Sequence, residues 1–309
     1  MTDSVVSLSE QSIKQGSKSF AAAARLFDKP TRDDCVMLYA WCRHCDDVID
    51  GQTLGQVQQA DFRDGQLQRL EGLRRQTSDA LERGIAPDPI FEALRRVAER
   101  RQIPAVHPQQ LLRGFEMDAE ERVYETVGDT LDYGYHVAGV VGVMMAMIMG
   151  VRDPRVLDRA SDLGIAFQLT NIARDVIDDA RVGRVYVPAE LLRAEGVSAV
   201  DPEDRSQWPK LYAAAVRLLD IAEPYYQSAL SGMAVLPPRS AWAIGAARRV
   251  YRAIGEKLRR GGPDAWEQRV STSKGEKIYL LGTALGDVVA SRFADGRFSR
   301  HALYSRPGT

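Results

Sequence analysis

The chain has 309 residues, enough for one large domain or two modest ones, with 45% hydrophobic and 27% charged side chains. Its 41 Lys and Arg against 42 Asp and Glu leave a net charge of −1, which excludes a global electrostatic pull on nucleic acid, and no nucleic-acid-binding motif is present. The three cysteines, Cys35, Cys42 and Cys45, are too few and too odd in number for a disulfide framework, so a reducing compartment is expected.

The opening segment, MTDSVVSLSE, lacks the basic and then apolar pattern of a signal peptide, so the chain reads as cytoplasmic. From there the helical period dominates. It predicts helices over about 9–27, 31–50, 56–83, 88–102, 107–123, 129–150, 154–181, 206–232, 238–260 and 273–293. Ser9, Thr31 and Asp129 are expected as N-caps, and Gly51 and Gly183 as stops. No linker divides the chain and no repeat period is present. The expectation is one all-α domain over 1–309, with a core at about 9–293 and a short C-terminal tail.

The helix at 31–50 ends in YAWCRHCDDVIDG. At about 100° per residue, Tyr39, Arg43, Asp46 and Asp50 share one narrow arc. The rest of that helix is mostly apolar, so the stripe is expected to face an internal cavity. Cys42-x-x-Cys45 has no second pair to complete a zinc site and reads as packing. In the helix at 107–123, Glu116, Asp118, Glu120 and Glu121 read as a solvated face. The next helix holds the longest uncharged apolar run, Val137 to Val151, short of the ~20 residues that span a bilayer. Its methionines at 144, 145, 147 and 149 read as core or cavity lining, and His136 as structural.

The helix at 154–181 ends in AFQLTNIARDVIDDAR. Gln168, Asn171, Asp175 and Asp179 share a second polar arc on an apolar helix. Both acidic sets occupy last turns, where the helix dipole disfavours carboxylates by about 0.3–1 kcal/mol. Aspartate is also a poor helix former. A cost accepted twice, with the same DVID tetrapeptide, points to something cationic in the site. A few carboxylates, retained waters and a phosphate-bearing substrate are what Mg²⁺ prefers. Farther on, Arg248, Arg249, Arg252, Arg259 and Arg260 read as a solvated basic face, with contact to anionic lipid as its functional option.

These stretches together resemble the squalene/phytoene synthase family, and within it the bacterial phytoene synthases. The resemblance runs over nearly the whole chain. It is carried by GSKSF (16–20), LYAWCRHCDDVID (38–50), YHVAGVVG (135–142), AFQLTNIARDVIDDA (166–180), GRVYVP (183–188), EPYY (223–226), VYRAIG (250–255) and RVSTSKGEK (269–277). It implies the class I isoprenoid synthase fold, a helical bundle around a deep central cavity. It also implies Mg²⁺ or Mn²⁺, several ions to a site, held by Asp46 and Asp50 on one wall and by Asn171, Asp175 and Asp179 on the other. By the same resemblance Ser17, Ser19, Arg43, Arg174, Tyr251 and Arg269 contact diphosphate. Tyr39 and Gln168 line the reacting centre, and Phe20, Val137 and Gly142 border the prenyl tails.

The implied reaction joins two geranylgeranyl diphosphates head to head, through prephytoene diphosphate, to phytoene. The same chemistry on farnesyl diphosphate is the alternative, giving squalene, dehydrosqualene or hydroxysqualene. A non-catalytic assembly factor of the same fold is the other. The partners expected are geranylgeranyl diphosphate, a peripheral membrane contact and other carotenoid enzymes.

Overall fold

Why the acidic stretches end their helices where they do is visible in the caps. A computed structural model describes residues 4–16, 23–52, 63–293 and 298–308. Its first helix, α1, is Ser4–Gly16. The second, α2 (Lys29–Asp50), starts at Asp28, whose side chain accepts from the Thr31 backbone N–H at 3.0 Å, and Pro30 fills its first turn. It stops at Gly51, in the left-handed region at φ 59°. Then follow α3 (Gln66–Glu82), α4 (Pro89–Arg101) and α5 (Val106–Ala119). A helix interrupted by one π turn comes next: α6 (Val127–Gly134), the turn Tyr135–Gly139, and α7 (Val140–Ile148). The long α8 (Pro154–Arg181) is capped by Asp153. After it come the short α9 (Ala189–Ala194), α10 (Trp208–Gly232), α11 (Pro238–Gly261) and α12 (Lys274–Ser291). Among the described residues there is no strand.

The caps correct three expectations. Ser9 lies inside α1 and its hydroxyl donates to the Val5 carbonyl. Thr31 is the partner of the true cap, Asp28. Asp129 is the third helical residue of a capping box led by Thr126. Gly51 and Gly183 do follow the two acidic helices, both at positive φ.

Helix α8 is the centre of the bundle, packed against α10, α7, the π turn, α11 and α6. Glycines let it approach its neighbour to backbone contact. A Cβ on Gly142 would lie 2.3 Å from the Ala160 carbonyl oxygen, and one on Gly164 2.3 Å from that of Ala138. Gly142 of the VAGVVG run therefore serves helix contact. Continuous over Val127–Ile148, the interrupted helix is 22 residues long, long and apolar enough to cross a bilayer, but 67% of its apolar window is buried inside the bundle. Its length exceeds the uncharged run because residues 127–136, with Asp129 and Asp132, belong to the same continuous helix.

The tail is not an appendage. Arg300 donates to Asp162, and Arg306 to Asp158, both on α8. Tyr304 donates its hydroxyl to Asp132 at 2.7 Å.

Candidate active site

The bundle encloses a cavity of about 590 Å³. One end is polar. There α2 presents Tyr39, Arg43 and Asp46, α5 presents Asp118, α8 presents Gln168 and Asn171, and α11 presents Tyr251. The remainder is mostly apolar, with Arg159 and Lys277 as charged exceptions: Leu38, Phe115, Met145, Leu163, Ile244 and Val250 are typical of its wall. Val137 and Gly142 border it, as do Met145 and Met149, while Met144 and Met147 are packed into the core.

On the α2 wall Arg43 is the hub. It reaches Asp46 at 3.0 Å and Asp47 at 2.8 Å. The Asp46 side chain is 37% accessible, but it lines the cavity, not the outer surface. Burial, and then Asp50 one turn on, push its carboxyl up to about 7. Burial also pushes the Tyr39 phenol up to about 12, so it stays a neutral donor.

On the α8 wall Asp175 receives two guanidinium groups, Arg174 at 2.5 Å and Arg269 at 3.1 Å. Burial opposes its charge, but these two partners hold its carboxyl below the usual range. Asp179, one turn beyond, has no such clamp: burial and Asp175 push it up to about 8. Tyr251 stacks on Phe167 with ring centroids 4.0 Å apart, which aims it at the polar end.

The two walls meet through residues that sequence reasoning passed over. Arg184, in the GRVYVP stretch after α8, pairs with Asp50 of α2 at 2.6 Å. Asp118 was expected in a solvated face with its acidic neighbours. Instead it lines the cavity and accepts from Tyr186 at 2.7 Å and Tyr133 at 3.1 Å. Burial pushes its carboxyl up to about 6, and Asp50 adds to the push. Glu116 of the same expected face is also tied down, between Arg74 and Arg113. The quoted GRVYVP motif was the signal for Arg184; nothing in the run FEMDAEE singles out Asp118.

Of the expected site residues, Tyr39, Arg43, Asp46, Val137, Gly142, Gln168, Asn171 and Tyr251 line the cavity itself. Asp50, Arg174, Asp175, Asp179 and Arg269 do not line it. Arg174, Asp175 and Arg269 are joined by the ion pairs above, Asp50 pairs with Arg184, and Asp179 lies one turn beyond Asp175. Ser17, Ser19 and Phe20 lie outside the described residues. His136 is buried and bonded through Nδ1 to the Asp132 carbonyl at 2.8 Å, a structural role.

The expected basic face on α11 is corrected. Arg248 is buried and donates to the Tyr226 carbonyl and to Asp287, Arg249 also holds Asp287, Arg252 pairs with Glu223, and Arg259 with Asp220. Those arginines cross-link helices; a single-sequence projection shows their angle but not their partners.

For divalent ions the donor set is a test. Asp46, Asp118 and Asp179 are oxygen donors, each raised first by burial, with further carboxylates adding to the push. Such a surplus of buried negative charge suits a hard cation. No three acidic, histidine or cysteine side chains among the described residues group closely enough to chelate one unaided. An ion held there would need waters or substrate oxygens to complete its shell, as Mg²⁺ tolerates.

The chain and its fold have known counterparts. The model of the squalene/phytoene synthase family matches residues 13–276. The chain is 55% identical over 307 residues to the 15-cis-phytoene synthase of Paracoccus sp. (strain N81106 / MBIC 01143), covering 99% of each chain. It is 50% identical over 297 residues to the phytoene synthase of Pseudescherichia vulneris, covering 96% of each. Among solved structures it resembles a dehydrosqualene synthase in complex with ligand, at a TM-score of 0.79 and 27% identity, over 93% of this chain and 97% of that one. A squalene synthase from Alicyclobacillus acidocaldarius has a TM-score of 0.72 at 23% identity, over 84% of this chain and 94% of that one, which bears on the fold alone.

Proposed function

The chain belongs to the squalene/phytoene synthase family, and on that premise we propose that it condenses two geranylgeranyl diphosphates head to head. The product is phytoene, formed through prephytoene diphosphate with release of diphosphate, in carotenoid biosynthesis. The observation that carries this reading is the cavity: one acidic and cationic end, and a long apolar remainder. Along α8 the lining residues Asn171 and Val156 are fifteen positions apart. At 1.5 Å per residue that is about 22 Å. An extended geranylgeranyl chain, at roughly 1.3 Å per bond, spans roughly 20 Å.

Each group has a physical task. Arg43, Arg174, Arg269 and Tyr251 bind and orient diphosphate; Ser17 and Ser19 belong to the same reading. Asp46, Asp50, Asn171, Asp175 and Asp179 hold Mg²⁺ or Mn²⁺, and Asp118 adds a carboxylate between the walls. Bound there, the ions supply charge stabilisation for the departing diphosphate. Tyr39 and Gln168 border the reacting carbons, where a phenol that keeps its proton acts as a neutral dipole. The apolar wall excludes water that would otherwise quench an allylic cation. Asp175 is pre-paired with two arginines, so a diphosphate entering the site exchanges partners with a carboxylate already in place.

Farnesyl diphosphate is the second reading, favoured by the likeness to a dehydrosqualene synthase. The test is one incubation of purified protein and Mg²⁺ with each diphosphate separately, the hydrocarbon being identified by mass. The C40 hydrocarbon from geranylgeranyl diphosphate is expected. Faster conversion of farnesyl diphosphate would overturn the substrate, and no hydrocarbon from either would overturn the reaction. The same reading keeps the chain in the cytoplasm, among other carotenoid enzymes, with peripheral membrane contact, because substrate tails and product are apolar.

A further inference from the structure

Helix α12 is amphipathic the wrong way round for a helix packed on a core. The residues it buries are small or polar: Ala284, Asp287 and Ser291. Asp287 is held there by Arg248 and Arg249. Several of its large apolar residues point outward, while Val288 packs against the core. Ile278 is 71% exposed, Leu285 51% and Val289 61%, and Phe293, just past the helix end, 68%. At 100° per residue these four fall within about 80° of one another, opposite the buried set. Gly282 and Gly286 belong to the open side; a Cβ on either meets nothing within 4 Å. Leaving large apolar side chains in water forfeits about 1.5–3 kcal/mol each relative to burying them. A contiguous patch of this kind marks an interaction surface.

The occupant follows from where the patch leads. Ile278 and Leu281, at its N-terminal end, line the central cavity, as does Lys277 just before them. The apolar stripe and the apolar cavity are thus one continuous surface, from the interior to the outside of the molecule. The exposed ionic groups of the helix are basic. Lys274 stands on the stripe, and Arg292 closes its far end by donating to the Leu236 carbonyl at 3.0 Å. The acids of the helix are already neutralised, Glu276 by Lys257 and Asp287 by its two arginines. An apolar face with a basic border, carrying Tyr279 70% exposed at its edge, is the composition of a helix lying at a lipid interface.

We propose that the outer face of α12 docks on an anionic lipid surface, and that the cavity opens beside it so that a hydrocarbon product leaves into lipid without crossing water. This rests on the proposed function for the identity of the product, but the docking itself does not require turnover. A reaction that turns amphiphilic diphosphates into a hydrocarbon with no polar group needs such an exit, since water will not accept the product.

The experiment is vesicle co-sedimentation of the full chain without substrate. Vesicles of phosphatidylcholine with phosphatidylglycerol are compared with phosphatidylcholine alone. The wild-type chain is expected to sediment with the anionic vesicles and to do so less with the neutral ones. Leu285→Glu/Val289→Glu is expected to cut the bound fraction at least tenfold. Leu67→Glu, at a comparably exposed apolar residue on α3, leaves it unchanged. Circular dichroism and turnover of detergent-dispersed substrate check that the double variant is folded and active; neither substituted residue lines the cavity. A wild-type chain that stays in the supernatant overturns the proposal, as does a double variant that sediments like wild type. A face that instead seats a second copy would show as a wild-type dimer by light scattering, monomeric in the double variant, with no vesicle binding, and that also overturns it.

Discussion

Asp118 shows how much a single carboxylate depends on what faces it. Two phenols hold it, Asp50 repels it, and it stands between two acidic sets that belong to different helices. The acids around it carry a consequence for pH. Asp46, Asp118 and Asp179 are raised to about 7, 6 and 8 by burial and neighbouring carboxylates. Between pH ~4 and those values the native chain keeps protons that the unfolded chain has released. Stability of the metal-free protein from these groups therefore falls as pH rises through that window, by at most about 1.4 kcal/mol per pH unit per carboxylate. Thermal melting of metal-free protein should give midpoints that drop from pH 5 to pH 8, and Asp179→Asn should flatten the slope. Added Mg²⁺ should raise the midpoint more at pH 8 than at pH 5.5, where the native carboxyls still hold protons. A wild-type midpoint indifferent to pH would remove the raised carboxylates from the account. For Asp175→Asn, which strips Arg174 and Arg269 of their shared anion, turnover should fall on the order of 100-fold or more, the scale of losing one preorganised charge stabiliser. Helical circular dichroism should persist, and retained turnover would exclude Asp175 from the mechanism.

At the scale of elements, the helical projection of α2 and α8 was sufficient to place polar stripes on otherwise buried helices, and the cavity does lie along Tyr39, Arg43 and Asp46 and along Gln168 and Asn171. It misjudged α5 and α11, because periodicity reports an angle and not a partner. A charged stripe facing water and a charged stripe facing counter-charges have the same spacing. Arg248, facing Asp287, is a case of the second kind, and Asp118 faces two phenols in place of water. Gly142 of the α6–α7 segment both borders the cavity and lets α7 approach α8. Gly142→Ala or Gly164→Ala should destabilise the fold by about 1–3 kcal/mol, because each methyl group meets a carbonyl oxygen that backbone packing holds in place. A melting midpoint within a degree of wild type would show that α7 and α8 can separate without cost.

At the scale of the whole molecule, the C-terminal residues close a circuit that no local pattern announces. Asp162 is fully buried on α8 and is held by Arg300 and by Ser228. Arg300→Ala leaves that carboxylate buried without its cation, which should cost about 3–5 kcal/mol, measurable by urea unfolding. An unchanged unfolding midpoint would mean that residues 298–308 do not contribute to the folded state. Cavity length is the other whole-molecule quantity. Val156→Trp, at the end remote from Asn171, should lower kcat/KM for geranylgeranyl diphosphate at least tenfold and leave farnesyl diphosphate within about threefold. Equal losses on both would show that the far end does not receive the tail.

By itself the sequence determined that this is an all-α chain with two acidic helix ends on buried helices, because helical period, dipole cost and aspartate spacing are local properties. Tertiary structure alone decided that Arg184 pairs with Asp50, that Asp118 lines the same cavity, that Arg248, Arg249, Arg252 and Arg259 of α11 cross-link helices, and that α12 turns an apolar side outward. The reason is that burial and charge pairing are set by whichever element lies across the gap, and residues such as Asp50 and Arg184 are 134 positions apart in the chain.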